Sequence, residues 1–388
     1  SLRNSVTMSR IEASLASSSK LKDKKSDVSH GSTKDTNSHP SIWLKLQAFM
    51  CVTLLMALIL LVNLGGIYVL FNPGSSRSKM MIYFLMLYAS IRLLTPGGAI
   101  HSEKQPEGGV WRAFSERYFF LSSIHRRYLN LSFAKPLPKE LVEAESRSNA
   151  QFILAAFPHG CNSDFRVLMD GIINETFPNL LKRNKIRALA ASILFWIPVV
   201  REISLWTGCI DASRPVAKAA LDQGKSLLIL PGGEAEQIRT VYGREIIYLK
   251  NRKGFIKLAL VHGVPIVPMY VFGCSDSYYT YNWMAQRFRL WLVKNLGICI
   301  TPCSGLWGNP FCPLPKTTTI VMGKPIRFEF VLEQDNLNES CIDTSISKQT
   351  PTKEEVDRAH AVFIRELTAL FDAHKTALGY GDRTLEIV

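Results

Sequence analysis

One stretch decides the fold: Phe152-Ile-Leu-Ala-Ala-Phe-Pro-His-Gly-Cys-Asn-Ser-Asp164. The apolar run from Phe152 to Phe157 predicts a buried strand, and the Pro and Gly that follow it predict a turn. The turn carries His159. Asp164 lies five residues later, at the start of an apolar-periodic segment that predicts a helix capped by one of the two residues before it.

This arrangement suits general-base chemistry. A His at the end of a strand, with a carboxylate in the next helical turn, is the minimal combination of a base and the group that orients it. The alternative is that His159 and Gly160 only form a turn, which is the commoner role of such a pair. The stretch alone favours the turn, so the hypothesis that His159 is a base and Asp164 its partner needs support from elsewhere.

The pattern on the C-terminal side of Gln151 alternates short apolar runs with helical periodicity. It predicts an α/β domain with a mixed, mainly parallel sheet flanked by helices, and places functional residues at the carboxyl ends of strands. The predicted strands are Phe152–Phe157, Ile186–Ala190, Ser226–Leu230, Ile266–Phe272, Thr317–Val321 and Ile326–Phe330. The predicted helices are Ser163–Ile173, Pro215–Asp222, Arg252–His262, Trp283–Val293 and Glu354–Lys375.

A second candidate loop, Pro231-Gly-Gly-Glu-Ala-Glu236, follows a predicted strand. Gly232 and Gly233 allow a ligand to approach the backbone closely, and their amides can face a developing oxyanion. Either Glu234 or Glu236 can face the site. The alternative, an ordinary turn with a solvated acidic start to a helix, fits equally well.

A third candidate comprises Arg252, Lys253 and Lys257, which cluster at the start of a predicted helix. Free amides and cations at a helix start suit phosphate groups. The alternative is that these cations form a solvated basic face, which is the more common role of such a cluster.

Composition narrows the function classes. The chain has 388 residues, 47% of them hydrophobic, and a net charge of +14. Its eight cysteines form no C-x-x-C pair, which predicts reduced thiols and neither a disulfide frame nor a zinc site. The basic excess lacks a nucleic-acid motif, so it favours an anionic membrane surface and a phosphate-bearing ligand over nucleic acid. The missing Gly-x-Ser-x-Gly elbow disfavours a serine hydrolase, and no metal or cofactor motif is present.

The N-terminal part predicts a membrane anchor. Residues 1–42 have the composition of a disordered polar tail, and 43–95 that of an anchor hairpin. Leu46–Phe71 would form a helix roughly 39 Å long, enough to span a bilayer with some tilt. Met80–Leu94, which contains Arg92, is predicted as a second span, a re-entrant helix or an interfacial one. Residues 96–150 are predicted as an amphipathic linker at the membrane surface, in which Val110–Phe120 lies on the membrane or packs on the domain.

An ordered set of motifs resembles the type 2 diacylglycerol acyltransferase family, which includes monoacylglycerol and wax-alcohol acyltransferases. The match runs from about Trp111 to the C-terminus. The motifs are Phe157-Pro-His-Gly160, Pro198-Val-Val-Arg-Glu202, Gly208-Cys-Ile-Asp-Ala-Ser-Arg214, Gly232-Gly-Glu-Ala-Glu236, Arg252-Lys-Gly-Phe-Ile-Lys-Leu-Ala259, His262-Gly263, Val267-Pro-Met-Tyr-Val-Phe-Gly273, Gly323-Lys-Pro-Ile326 and Phe371-Asp-Ala-His-Lys375.

Three departures from the family pattern are informative. The family loop is usually His-Pro-His-Gly, and here Phe157 replaces the first His, which leaves His159 as the candidate base. Asp164 recreates the His-x4-Asp pattern of the wider glycerolipid acyltransferases, in which Asp orients the His. The loop at 231–235 lacks the Arg with which phosphate-accepting relatives bind glycerol phosphate, and this favours an uncharged acceptor.

The resemblance implies a glycerolipid-acyltransferase-like domain at 151–388 behind an N-terminal transmembrane hairpin. It implies transfer of a fatty acyl group from acyl-CoA to diacylglycerol, giving triacylglycerol, with acyl-CoA as co-substrate and no cofactor or metal. The catalytic candidates are His159, Asp164 and Glu236, and the substrate-binding candidates are Pro158, Gly160, Gly232, Gly233, Arg252, Lys253 and Lys257.

Alternatives to this function stay open. The acceptor can instead be monoacylglycerol, a long-chain alcohol or a sterol, and the chain can be a catalytically inactive lipid-droplet anchor. The expected partners are acyl-CoA, diacylglycerol and a bilayer or lipid-droplet surface, with no nucleic acid, and a homo-oligomer is left open. The expected location is the endoplasmic reticulum membrane, multi-pass with the catalytic domain in the cytosol, or the lipid droplet.

Overall fold

The computed structural model describes residues 40–99, 101–115, 120–147, 149–166, 173, 177, 186–328 and 351–388. Most of the predicted polar tail lies outside the described residues. So do most of the predicted helix Ser163–Ile173 and the end of the predicted strand Ile326–Phe330.

A seven-stranded sheet forms the centre of the domain. The strands of the described chain are β1 (Ser132–Phe133), β2 (Ile153–Phe157), β3 (Ile186–Ala190), β4 (Cys209–Asp211), β5 (Ser226–Ile229), β6 (Glu245–Ile247), β7 (Ile266–Phe272), β8 (Tyr279–Thr280), β9 (Cys303–Ser304), β10 (Thr319–Met322) and β11 (Leu385–Ile387). The main sheet has the order β1-β10-β7-β2-β5-β3-β4, and β6 and β8 pair separately with β11 and β9. In the main sheet only the β10–β7 pairing is antiparallel, which confirms the predicted mixed, mainly parallel sheet.

Helices cover the sheet and precede it. They are α1 (Ile42–Phe71), α2 (Ser76–Leu94), α3 (Phe120–Tyr128), α4 (Lys139–Ser146), α5 (Val200–Trp206), α6 (Arg214–Asp222), α7 (Gly233–Gln237), α8 (Gly254–His262), α9 (Gln286–Leu296) and α10 (Lys353–Lys375). Thr352 caps α10 through a capping box with Glu355, in which each side chain accepts the other residue's backbone N–H.

The side chains of β2 alternate between two hydrophobic cores. Leu154 and Ala156, together with Phe152 just before the strand, belong to the core that also contains Ala48 and Val52 of α1. The intervening residues of β2 belong to the other core, which contains apolar residues of α6, α8 and α10. All five residues of β2 are buried, because helices cover both faces of a parallel strand.

The two N-terminal helices pack against the domain. Among the described residues, α1 is the one helix long and apolar enough to cross a membrane, and no membrane hairpin is shown. Asn63 of α1 donates to the Pro198 carbonyl at 3.3 Å. In α2, Tyr88 donates to Glu202 at 2.5 Å and Arg92 lies 3.5 Å from the same carboxylate, so Arg92 binds the domain.

The described part of the linker also contacts the domain. The backbone N–H of Trp111 donates to the Trp206 carbonyl at 3.1 Å, and the rings of Trp111 and Phe114 pack on the Trp206 ring. For residues 111–115, this contact is the one expected of a helix packed on the domain. Residues 116–119 lie outside the described part.

The boundaries of several elements differ from prediction for local reasons. The helix predicted at Trp283–Val293 begins at Gln286, because Ala285 before it has a left-handed backbone with φ of 46°. Strand β4 is only three residues long, too short to show periodicity, and was not predicted. In the described part of Ile326–Phe330 the structure has a single bridge, between Ile326 and Ile266.

Candidate active site

Loops from three neighbouring parallel strands meet at one edge of the sheet. The loop after β2 carries His159. The loop after β5 leads into the short helix α7, which carries Glu236. The loop after β7 carries Cys274 and Tyr278. Because β2, β5 and β7 run in the same direction, their carboxyl ends lie at the same edge. The sequence pattern predicted this position for the first two loops.

His159 lies half-buried at the end of β2, after the cis peptide bond between Phe157 and Pro158. Its Nδ1 atom is 3.1 Å from the carbonyl oxygen of Gly160. A carbonyl only accepts hydrogen bonds, so this contact assigns the proton to Nδ1 and leaves the Nε2 lone pair available. Burial lowers the pKa of His159, with the Gly160 carbonyl opposing the shift. The imidazole is therefore neutral near pH 7, as a general base must be.

Gly160 is required by the shape of this turn. Its φ is +68°, in the left-handed region that L side chains rarely adopt, and a Cβ there would lie 2.5 Å from the Sγ of Cys274. The thiol of Cys274 faces the Pro158 carbonyl at 3.7 Å. Pro158 and Gly160, both predicted to bind substrate, thus shape the loop that presents His159.

Ser163 is a site residue that sequence reasoning did not assign to the His. Its Oγ atom lies 3.0 Å from Nδ1 and 3.2 Å from Nε2 of His159. With Nδ1 protonated, the Ser163 hydroxyl can donate to Nε2, the position that an acceptor hydroxyl must reach. The spacing His-x3-Ser was the available signal, and it was interpreted only as a helix cap.

Asp164 faces a small pocket next to the His159 loop. The pocket has a volume of about 10 Å³, close to the space that one water molecule needs. It is lined by Leu129, Cys161, Asn162, Ser163, Asp164, Phe165, Cys274, Ser277, Tyr278 and Thr318. Burial raises the pKa of Asp164 to about 6, and its interaction with the Tyr278 hydroxyl opposes the rise. Both residues are described, and the structure shows no hydrogen bond between Asp164 and the His159 ring. The orienting role of Asp164 stays a prediction.

Glu236 lies beneath the His159 loop and is 1% exposed. One carboxylate oxygen accepts the backbone N–H of His159, and the other accepts the backbone N–H of Tyr248 at 2.7 Å. Burial raises the pKa of Glu236 to about 7, and these two hydrogen bonds and the charge of Arg252 oppose the rise. Glu236 therefore holds the backbone of His159, and its carboxylate is directed at the protein interior.

The glycine pair is connected to the same group of residues. Arg252 donates to the Gly232 carbonyl at 3.3 Å and its guanidinium lies over the Tyr248 ring, 5.2 Å from the centroid. Gly233 has a φ of +52°, and its amide donates to the Leu230 carbonyl at 3.1 Å. Of the predicted oxyanion donors, the Gly233 amide therefore already has an acceptor.

The three predicted phosphate ligands are in different environments. Lys253 pairs with Asp357 of α10 at 2.6 Å, and Arg252 is held against Gly232. Lys257 is exposed on the first turn of α8. The structure thus brings Arg252 toward the site loops, while Lys257 remains open to solvent.

Phe157 points away from this site. It is fully buried in the core beneath α8 and α10, and its ring centroid lies 6.1 Å from that of Phe363. The side chain that replaces the first His of the family loop therefore packs in the interior.

The arrangement can remove a proton. It combines a neutral, half-buried imidazole at the edge of the sheet with a carboxylate that fixes its backbone. Among the described residues, His, Cys, Asp and Glu side chains form no group of the size that holds a metal ion.

Comparison with known proteins gives a family match that includes every residue of the site. The family model for diacylglycerol acyltransferase matches residues 119–388. Acyl-CoA wax alcohol acyltransferase 2 from Mus musculus is 30% identical over 270 residues, 65% of this chain and 74% of that protein. Diacylglycerol O-acyltransferase 2 from Bos taurus is 29% identical over 269 residues, 64% of this chain and 67% of that protein. Human 2-acylglycerol O-acyltransferase 3 is 29% identical over 321 residues, which are 77% of this chain and 81% of that protein.

Proposed function

The chain belongs to the diacylglycerol acyltransferase family, and on that premise we propose that it transfers a fatty acyl group from acyl-CoA to the free hydroxyl of diacylglycerol, giving triacylglycerol. The observation that carries the proposal is the family match over residues 119–388, which contain the neutral His159 at the edge of the sheet. Glycerol phosphate is not the proposed acceptor, because residues 231–235 offer no Arg to its phosphate.

In the proposed reaction, Nε2 of His159 takes the proton of the acceptor hydroxyl as its oxygen attacks the thioester carbonyl. The new ester C–O bond forms, the C–S bond breaks, and the thiolate of CoA leaves and receives the proton from His159. The Gly160 carbonyl holds the proton on Nδ1 throughout, so the ring presents the same face before and after each turnover.

Two further groups assist in the proposal. Asp164 stabilises the imidazolium through the field of its charge, and the amide of Gly160 is a candidate oxyanion donor. A well-placed donor contributes about 3 kcal/mol to transition-state stabilisation. Arg252, Lys253 and Lys257 are the proposed partners of the CoA phosphates.

A long-chain alcohol is the second candidate acceptor. It is favoured by the 30% identity to a mouse protein named for wax alcohol acyl transfer. Both acceptors present an uncharged hydroxyl to the same base, so the residues named above serve either reaction.

We also propose that α1 anchors the chain in the endoplasmic reticulum membrane, with the catalytic domain in the cytosol, and that α2 completes a hairpin. Support comes from the length and composition of α1 and from the lysines that precede it. Asn130, Asn174 and Asn338 lie in N-x-[ST] sequons, so an endoglycosidase-sensitive glycan on any of them would contradict this topology.

Expression in a yeast strain that lacks neutral-lipid synthesis tests the reaction. Triacylglycerol is the expected product, and wax ester after feeding of a long-chain alcohol would select the second acceptor. Absence of every neutral ester from cells that contain the full-length protein would select the inactive lipid-droplet anchor instead.

A further inference from the structure

One segment outside the active site has a distinctive composition. Residues 277–316 contain eight aromatic side chains, four Lys or Arg and no Asp or Glu. The segment forms the β8–β9 hairpin, whose long connection is α9, and continues into a short helix, Leu306–Gly308. An ordinary exposed surface would carry charges of both signs.

Several large apolar side chains of this segment face outward. Trp283 is 79% exposed, Phe288 58% and Trp291 53%. The Phe288 and Trp291 rings are stacked, with centroids 6.2 Å apart, so they form one continuous patch. Isolated exposed apolar residues are normal, but a contiguous patch marks a surface that another apolar phase covers.

Helix α9 attaches to the domain by a narrow strip. Its two buried residues are Arg289 and Leu292, and Arg289 donates to the carbonyls of Asn282 and Ile300. The exposed side of α9 carries Arg287 and Lys294 beside the aromatic rings. Aromatic rings with cations at their margin are the pattern of helices that lie in a membrane–water interface. An acidic residue of another element, Glu234, approaches this surface near Gly297.

The same segment adjoins the long apolar helix. The Trp307 ring packs edge-on against Phe49 of α1, with centroids 5.1 Å apart, and Asn309 lies 3.5 Å from Thr53. Farther along α1, Asn63 contacts the domain at Pro198. Fourteen residues of helix separate Phe49 from Asn63, so α1 runs along the domain for roughly 21 Å. With α1 anchored in a membrane as proposed above, the lipid around it meets the domain at the loop that contains Trp307.

We propose that α9 and the loop at 307–311 form a second membrane-contact surface, whose occupant is the anionic phospholipid leaflet around α1. Trp283, Phe288 and Trp291 enter the boundary between headgroups and acyl chains, and Arg287 and Lys294 bind lipid phosphates. The charge of the segment and its continuity with α1 select an anionic lipid surface over a protein partner. The inference rests on the proposed anchoring by α1 and is independent of acyl transfer.

The test uses the full chain reconstituted in vesicles of phosphatidylcholine and phosphatidylserine. Tryptophan emission is compared between the wild type and the double variant Trp283→Phe/Trp291→Phe, and their difference reports only these two tryptophans, in α9 and the turn before it. Both residues are exposed, so these substitutions leave the cores intact. Lipids with brominated acyl chains quench tryptophans in the membrane, whereas acrylamide quenches those in water. Two separate measurements accompany the quenching. Resistance to alkaline extraction reports anchoring, and acyl transfer reports the enzyme activity, so a failure of either is distinguished from a failure of this inference.

We expect brominated lipid to quench most of the difference emission and acrylamide to quench little of it. Replacing Arg287 and Lys294 by Gln should reduce the lipid quenching in vesicles that contain phosphatidylserine and change it little in phosphatidylcholine alone. The matched control Lys218→Gln, at an exposed position of α6, should change neither value. Quenching by acrylamide alone would overturn the inference. Emission that neither reagent quenches would also overturn it, because it would show that α9 packs against protein.

Discussion

The loops that follow β2 and β5 look alike in sequence and differ in role. Each follows a buried parallel strand and combines glycine with a titratable side chain, and each is compatible with an ordinary turn. In the first loop, His159 is half-buried, and its Nε2 lies 3.2 Å from a hydroxyl, that of Ser163. In the second, Glu236 is 1% exposed and both its carboxylate oxygens accept backbone N–H groups.

The difference shows that the direction of the polar atoms separates a reactive group from a supporting one. Residue type and strand position do not separate them, since Glu is as competent a base as His once its pKa is raised. Glu236 supports the loop of its neighbour, because one of its two hydrogen bonds comes from the backbone of His159 itself.

The largest expected effect comes from His159→Ala, which removes the proposed base. We expect transferase activity in microsomes to fall by at least 10²–10⁴-fold, the usual contribution of general-base catalysis. Expression and membrane association should be unchanged, because the ring lies at the surface of the site. Activity near that of the wild type would show that His159 is not the base, and the proposed difference in role between the two loops would then be wrong.

Glu236→Ala should have the next largest effect. It leaves the buried N–H groups of His159 and Tyr248 without their acceptor, at about 1–3 kcal/mol each. We expect a lower thermal midpoint together with an activity loss on the order of 10²-fold from displacement of the base. Glu234→Ala, in the same short helix, is the matched control and should change both quantities little. An activity loss without any loss of stability would instead indicate that Glu236 takes part in the chemistry.

Glu236 should also make stability depend on pH. Its pKa is about 7 in the folded protein and about 4.5 when exposed, so folding takes up a proton between these values. The free energy of unfolding that Glu236 contributes therefore falls as pH rises from about 4.5 to about 7, by about 3 kcal/mol at most. The difference in thermal midpoint between wild type and Glu236→Gln should decrease over this range. A difference that does not vary with pH would show that Glu236 titrates normally.

Asp164→Asn and Ser163→Ala separate two interpretations of the first loop. Each should reduce kcat less than His159→Ala does, because each acts through the imidazole. Ser163→Ala removes a hydroxyl within 3.2 Å of both ring nitrogens, and we expect a loss of roughly two- to fivefold. If Asp164→Asn leaves kcat unchanged, the His-x4-Asp spacing is a coincidence and the orienting groups are Ser163 and the Gly160 carbonyl.

The smallest effect is expected from Lys257→Ala. Lys257 is exposed, so its attraction for a CoA phosphate is worth no more than about 1 kcal/mol. We expect KM for acyl-CoA to rise up to fivefold at low salt and kcat to stay constant. Lys218→Ala, an exposed lysine on α6, serves as the control. Equal effects of the two substitutions would indicate general attraction by the basic surface and no phosphate site at α8.

The fold was predictable where the chain repeats a pattern over many residues. Strand β7 and helix α10 match their predicted bounds to within one residue, because long apolar runs and a capped amphipathic helix leave few alternatives. The short strands β1, β4, β6 and β11 were not predicted, since pairing across the fold defines them and two or three residues show no period.

The site was predictable in position and not in contacts. The strand-end rule placed His159 and Glu236 at one edge of the sheet. Which atoms face each other depends on local geometry that no spacing encodes. The left-handed Ser163, with φ of 52°, brings its hydroxyl to the His159 ring, while Asp164 lines the small pocket together with Tyr278. The sequence likewise places Phe157 in the loop, whereas in the structure its side chain lies in the hydrophobic core.

The packing of α1 has a practical consequence for purification. Ala48 and Val52 are buried in the same core as Tyr128 and Leu129, so the long apolar helix is part of the hydrophobic interior as well as a candidate anchor. Cutting the chain after residue 94 to obtain a water-soluble enzyme would uncover that core and favour aggregation. Detergent or nanodisc preparations should therefore retain the polypeptide from Pro40 onward. Loss of activity in a truncated form would be a poor criterion for the catalytic competence of the domain.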